Sequence, residues 1–207
     1  MSALEGPLTV LIGGGTGVGK STVATRLARE LGITRVSSTD FIREILRSAV
    51  PEAIAPELSR SSFELDQHAT PGNGSAHGEF ERQAQQVLVG VRAELERAAR
   101  EGSPLILEGI HLLPGLLDFG AASDGVVVHV VLTVTDEKAL VQRLEKRAGT
   151  SERPAERYEN GLDAIQGLQA HLSRAAQRAG VPVIENRQLE ATVRRVMDLV
   201  AAAEAAH

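Results

Sequence analysis

The sequence has no cysteine and no tryptophan, and its five aromatic residues are Phe41, Phe63, Phe80, Phe119 and Tyr158. Without cysteine, disulfides, thiol catalysis and cysteine-ligated metals are excluded. With so few aromatics the core must be aliphatic, and stacking platforms for single-stranded nucleic acid are lacking. Lysine is scarce too: the 22 basic residues are 19 Arg and three Lys, at 20, 138 and 146. A net charge of -5 denies the chain the basic face that general nucleic-acid binding needs. No apolar run is long enough to span a bilayer. A signal-peptide pattern is missing, since Glu5 and Pro7 precede a short apolar run that ends in glycines. The expectation is a cytoplasmic protein with neither nucleic acid nor membrane as partner. What is present is ordinary: 207 residues, 43% hydrophobic and 24% charged, enough for one domain with a real core.

Hydrophobic periodicity orders the chain. Residues 8–12 (LTVLI) read as a buried strand running into Gly13, and 20–31 as a helix stopped by Gly32. A short strand over about 34–38 and a helix over about 40–49 follow, ending before Pro51. Residues 51–78 hold three prolines, several Ser and Gly and few apolar positions, and read as a loop-rich insertion. A helix over 79–101 places Phe80, Ala84, Val87, Leu88, Val91, Leu95 and Ala98 on one face. Strands are predicted at 104–108, 126–134 and 181–184, with helices at about 136–148, 157–179 and 189–205. Strands alternating with helices predict an α/β fold, a parallel sheet covered on both faces. Ligands in such sheets sit at the carboxyl ends of the strands.

The first strand feeds GGGTGVGKST, residues 13–22. Gly14, four residues, then Gly19, Lys20 and Ser21 match the Walker A pattern between a strand and a helix. In such a loop the backbone N–H groups of Gly14, Gly15, Thr16, Gly17, Val18 and Gly19 can turn toward phosphate, and the helix presents its positive end. Lys20 can reach the β- and γ-phosphates, and the hydroxyl of Ser21, beside Thr22, suits Mg²⁺. A dinucleotide fingerprint fails here. Starting at Gly13 puts Val18 at its last position, and starting at Gly15 puts Lys20 there.

Two acids follow strands. Asp40 ends SSTD, where it can accept a proton from an attacking hydroxyl, hold Mg²⁺ through water, or merely cap the next helix. Glu108 ends PLILE at a Walker B-like position, a candidate for the Mg²⁺ water shell or the base; its bland alternative is a buried acid bonded to a loop. His111, in the turn beyond, suits either a substrate contact or a structural role. Arg43 lies one turn past Asp40 and suits a phosphate or carboxylate on the acceptor, whereas Arg47 reads as solvated. Arg143, Lys146, Arg147, Arg153 and Arg157 flank the break at 149–156, as a lid closing on transferring phosphate would require. Interleaved glutamates could pair with several of them.

Taken together, GGGTGVGKST, STDFIREILR at 38–47 and ILEGIHLLPG at 106–115 resemble the 2-phosphoglycerate kinase family of P-loop small-molecule kinases. The segment from Tyr158 to Leu172 and VPVIEN at 181–186 are also similar, as is SRSSFE at 59–64, where Ser61 and Ser62 could touch substrate. The resemblance implies a P-loop fold of the nucleotide-kinase type and ATP-dependent phosphorylation of 2-phosphoglycerate to 2,3-bisphosphoglycerate. It implies Lys20 and Ser21 on the nucleotide phosphates and Mg²⁺, Asp40 as base, Arg43 as a substrate-phosphate clamp, and the segment near Asn186 against the adenine. The chain is expected to be one kinase domain over 1–207 without an N-terminal extension, with a substrate region at 51–78 and a lid at about 147–157. A kinase for another small acceptor (a nucleoside, sugar acid or antibiotic hydroxyl) and a nucleotide-binding regulator are the competing readings. A switch GTPase would carry an Asn-Lys-x-Asp segment, which the sequence lacks.

Overall fold

A computed structural model describes residues 7–62, 64–65, 77–117, 125–149 and 161–207. Five strands form one parallel sheet: β1 (Thr9–Gly14), β2 (Val36–Ser38), β3 (Leu105–Glu108), β4 (Val127–Thr133) and β5 (Val183–Glu185), in the order β2-β3-β1-β4-β5. The helices are α1 (Lys20–Leu31), α2 (Thr39–Ala49), α3 (Gly78–Arg100), α4 (Glu137–Gly149), α5 (Leu162–Arg178) and α6 (Leu189–Ala206). A short 3₁₀ turn, Pro56–Ser59, stands within the predicted insertion.

Strand alternation explains the layers. Val10 and Ile12 of β1, Ile106 of β3 and Val128, Val130 and Leu132 of β4 pack on one face with α1 and α6. Leu11, Leu105 and Leu107 point the other way, onto Val87, Leu88, Val91 and Leu95 of α3. Val131 meets Phe80 of α3 and Leu168 and Leu172 of α5 on that same side. Both faces are thus covered, as near-continuous apolar strands demand. All seven α3 positions predicted to be buried are buried, and Gln83 joins them.

Strand boundaries move by a residue or two. The final strand begins at Val183 rather than 181, because Val181 closes the helix end instead, its N–H bonding to Ala176 O. Helix α5 begins at Leu162, which is only half-buried; the stretch before it, with Arg153, Arg157 and Tyr158, lies outside the described residues. The same holds for residues 66–76 of the insertion. Strand β1 is central; the connection leaving it runs toward β2, whereas the one leaving its neighbour β3 runs the other way, to β4. That switch point opens a crevice at the carboxyl end of β1. Register brings Ser38 level with Glu108, and Glu108 level with Ile12, at its rim.

Candidate active site

The loop after β1 wraps into α1 with Gly19 at the cap, in the left-handed conformation (φ 91°). A Cβ there would sit 2.7 Å from Asn186 Nδ2, so only glycine fits. No side chain caps α1, and its first turn carries no acid. The positive helix end is left to an incoming anion. Lys20 Nζ donates to Gly15 O at 2.8 Å. Removal from water pulls the Lys20 ammonium below its ordinary pKa; the carboxylates of Glu108 and Asp40 oppose this and Arg147 adds to it. A phosphate group would supply the counter-charge the amine lacks.

Ser21 Oγ donates to Glu108 Oε1 at 2.9 Å, joining the hydroxyl after the P-loop lysine to the acid that ends β3. Glu108 is 7% exposed. These oxygens are the donor chemistry a hard cation takes. Asp40 stands on the opposite wall. The cap of α2 is Ser38, whose hydroxyl accepts from Asp40 N–H at 3.3 Å. Asp40 therefore does not cap the helix, and its side chain is 58% exposed toward the crevice.

Arg43 is not the open clamp its position suggests. Its Nη1 donates to Leu58 O (2.8 Å) and Arg60 O (3.0 Å), and its Nη2 to Glu44 Oε1 (2.6 Å). Among the described residues this leaves Nε–H and one Nη2–H of five donors. Arg47 is exposed and pairs with Glu44, as the solvated reading holds. His111 is wholly buried and meets Thr39, Ser62 and Gln83 instead of the crevice.

Two cavities open on the crevice and share Lys20 and Arg147. One, of about 250 Å³, adds Thr16, Asp40, Phe41, Arg43, Ser61 and Ser62. The other, of about 580 Å³, adds Gly17, Ser21, Thr22, Arg143, Lys146 and Asn186. Asn186 lines the larger cavity, but its amide is engaged: Nδ2 donates to Val18 O (2.8 Å) and Oδ1 accepts from Thr192 (2.9 Å). Arg143 braces the same junction, donating to Val18 O (3.2 Å) and Asn186 O (2.6 Å). Sequence reasoning placed Arg143 only among the lid cations. Its i−4 spacing from Arg147 on α4 was the available sign that both could face one wall.

Gln83 and Gln169 were not foreseen. Gln169 of α5 pairs with both backbone groups of Val134, at 3.0 Å each, and its Cβ would lie 3.3 Å from one added at Gly15. It fixes the end of β4 beside the phosphate loop. Each glutamine sits at a helix position whose neighbours are apolar, the one sequence sign of a buried polar contact.

The sheet order, the glycine loop and the lysine at the start of α1 define a P-loop nucleotide-binding protein. A family model described as an AAA domain matches residues 10–163, and the chain belongs to that family. Over 193 residues it is 41% identical to a 2-phosphoglycerate kinase of Thermococcus kodakarensis, covering 92% of this chain and 65% of that protein. The corresponding protein of Methanocaldococcus jannaschii is 34% identical over 195 residues, covering 94% and 63%. The chain thus spans just under two thirds of the length of these curated relatives. Solved structures share the fold: shikimate kinase from Acinetobacter baumannii (TM-score 0.52, 17% identity, 95% of this chain and 93% of that one) and TT1252 from Thermus thermophilus (0.55, 21%, 95% and 97%). The fold is that of the P-loop kinases.

Proposed function

We propose that this protein transfers the γ-phosphoryl group of ATP to a hydroxyl of a small anionic acceptor, 2-phosphoglycerate first among them, forming 2,3-bisphosphoglycerate. The observation that carries the reading is the pair of cavities meeting at Lys20. One holds the phosphate loop, and the other holds two carboxylates (Asp40 and Glu44), two guanidinium groups (Arg43 and Arg147) and two serines. Phosphoryl transfer needs this arrangement, because the donor and the attacking oxygen must lie in line across a cationic centre. The names of the relatives at 34–41% identity support the choice of acceptor.

In this reading the loop N–H groups from Gly14 to Gly19 and the start of α1 hold the β- and γ-phosphates. Lys20 neutralises the group in transit. Asp40 accepts the proton of the attacking hydroxyl. Arg43 offers Nε–H and its remaining Nη2–H to the acceptor's anionic group, and Arg147 faces both cavities. Arg153 belongs to the same proposal from its sequence position alone. A Mg²⁺ ion carried with the nucleotide would be held by Ser21 and, through water, by Glu108 and Asp40. It would supply charge neutralisation at the phosphate oxygens. The cytoplasm, where ATP and phosphorylated metabolites are held, is the setting this reading implies.

The test is ADP release from Mg·ATP with 2-phosphoglycerate, 3-phosphoglycerate, glycerate and several nucleosides. Strong stimulation by 2-phosphoglycerate alone is the expected result. Stimulation by a different acceptor would keep the chemistry and discard the substrate. ATP binding without turnover of any acceptor would favour a nucleotide-binding regulator.

A further inference from the structure

The buried polar junction behind the acceptor cavity fixes its own proton positions. Gln83 Nε2 lies 2.5 Å from Glu57 O and 3.0 Å from Arg60 O. Two carbonyls can be met only by the amide nitrogen, so Gln83 Oε1 faces the other way. There it lies 2.7 Å from Ser62 Oγ and 3.1 Å from His111 Nε2. Oε1 has no hydrogen to give, so His111 Nε2 must carry the proton and donate. The ring is wholly buried, which favours its neutral form. Nδ1 is then a lone pair, and the Thr39 hydroxyl, 2.9 Å away, donates to it.

Thr39 is itself wedged in place. A Cβ on Gly109 would come within 1.8 Å of its Oγ1, so the backbone after β3 presses directly on this side chain. Thr39 opens α2, and the next residue is Asp40, whose Oδ1 lies 4.0 Å from His111 Nδ1. A continuous chain therefore runs from the carbonyls of Glu57 and Arg60 through Gln83, His111 and Thr39 to the residue beside Asp40. Arg43 makes a second tie from α2 to Leu58 O and Arg60 O. Both ties end on the carbonyl of Arg60.

We propose that His111 is a positioning residue: as the Nε2–H tautomer it sets the spacing between the acceptor segment, residues 57–62, and the helix start that carries Asp40. Both ring nitrogens are engaged and the side chain is shut from the cavity. His111 neither accepts the hydroxyl proton nor touches substrate. This inference rests on the reading of Asp40 and of the acceptor cavity given above.

Two measurements on the full chain test it. The first is ¹⁵N NMR of the histidine rings at neutral pH, with His111 assigned by substitution. A protonated Nε2 and bare Nδ1 are expected; a protonated Nδ1 overturns the proposal whatever the acceptor proves to be. The second separates the two arms of the ring. His111→Asn keeps an acceptor near Nδ1 and removes the donor to Gln83 and Ser62. His111→Gln keeps a donor near Nε2 and removes the acceptor for Thr39. Each loses about one hydrogen bond, so a change of about tenfold is expected. For the Asn variant it falls on acceptor KM with kcat little changed, and for the Gln variant on kcat with acceptor KM little changed. The Kd for ATP stays at the wild-type value in both. Equal losses in acceptor and ATP parameters, tracking the fall in Tm, would reduce His111 to a packing role and overturn the proposal. If the wild-type protein turns over no acceptor, the functional reading fails separately, and the tautomer still decides the junction.

Discussion

On the proposed function, replacing Asp40 by Asn should separate binding from chemistry at this site. The change is isosteric, and the helix start should survive it, because Ser38 supplies the cap and the Asp40 backbone N–H remains to bond it. No hydrogen bond joins the Asp40 carboxylate to the phosphate loop among the described residues, so the loop keeps its shape. The amide cannot take the proton of an attacking hydroxyl. A positioned general base contributes about 10²- to 10⁴-fold, equivalent to about 3–5 kcal/mol in the barrier. The expected outcome is therefore a kcat lower by about that factor, with Kd for ATP within about twofold of wild type, since 1.4 kcal/mol would be needed for tenfold. Steady-state ADP release and equilibrium nucleotide binding on the same preparation read the two quantities. A kcat within about threefold of wild type would refute the base assignment, the loss being far below the general-base range. Glu108→Gln would then be the variant to examine, though the bond from Ser21 ties Glu108 to the nucleotide side.

Arg43→Ala removes the guanidinium from the acceptor cavity and both ties to residues 58–60, so acceptor KM is expected to rise at least about tenfold, as loss of a charged hydrogen bond implies, with ATP binding unchanged. Unchanged kinetics would return Arg43 to a solvated role. Gly109→Ala drives a methyl into Thr39 and is expected to cost about 1–3 kcal/mol in urea unfolding and to lower kcat by displacing Asp40; wild-type behaviour in both would refute the close approach. Acid should weaken the fold through two histidines. Burial holds His111 and His129 at about 4, against an ordinary 6.5; for His111, Asp40 opposes burial, and for His129 a bond with the Leu112 backbone does. Between these values the unfolded chain binds protons that the native state refuses. Stability is therefore full above about pH 6.5 and falls toward pH 4, by up to about 3 kcal/mol per histidine. Urea midpoints across that range, falling less steeply in a His111→Gln, His129→Gln double variant, would check the assignment; the carboxylates of Glu57, Glu101 and Glu185, held low in the native state, supply the remaining fall.

The parts of the site that were legible in the sequence are those the backbone dictates. A Walker pattern after an apolar strand fixes where Lys20 and Ser21 must stand, and an acid ending a parallel strand must face the crevice at the switch point. Glu108 follows from that rule without any knowledge of its partners, whereas Asp40 stands two residues beyond β2, in the first turn of α2. What was not legible depends on pairing across the fold. Arg43 was expected to be a clamp because its spacing from Asp40 is visible. Its use of Nη1 on Leu58 and Arg60 is not, since those residues lie in a segment without periodicity. Gln83 interrupts the apolar stripe of α3 between Phe80 and Ala84, yet nothing local says that it meets a histidine 28 residues on.

The same contrast bears on how the acceptor is chosen. The phosphate loop is held by rigid elements: β1 behind it, Gln169 on Val134 beside it, and Asn186 with Arg143 on Val18. The acceptor wall is held differently, by a 3₁₀ turn whose carbonyls hang on two side chains, Arg43 and Gln83. A substitution in the first group should reduce all turnover alike. One in the second should alter which acceptor fits while leaving ATP in place, because the nucleotide cavity shares only Lys20 and Arg147 with it. On the proposed function, residues 57–62 and their two supports would set the acceptor without change to the residues that handle the phosphates.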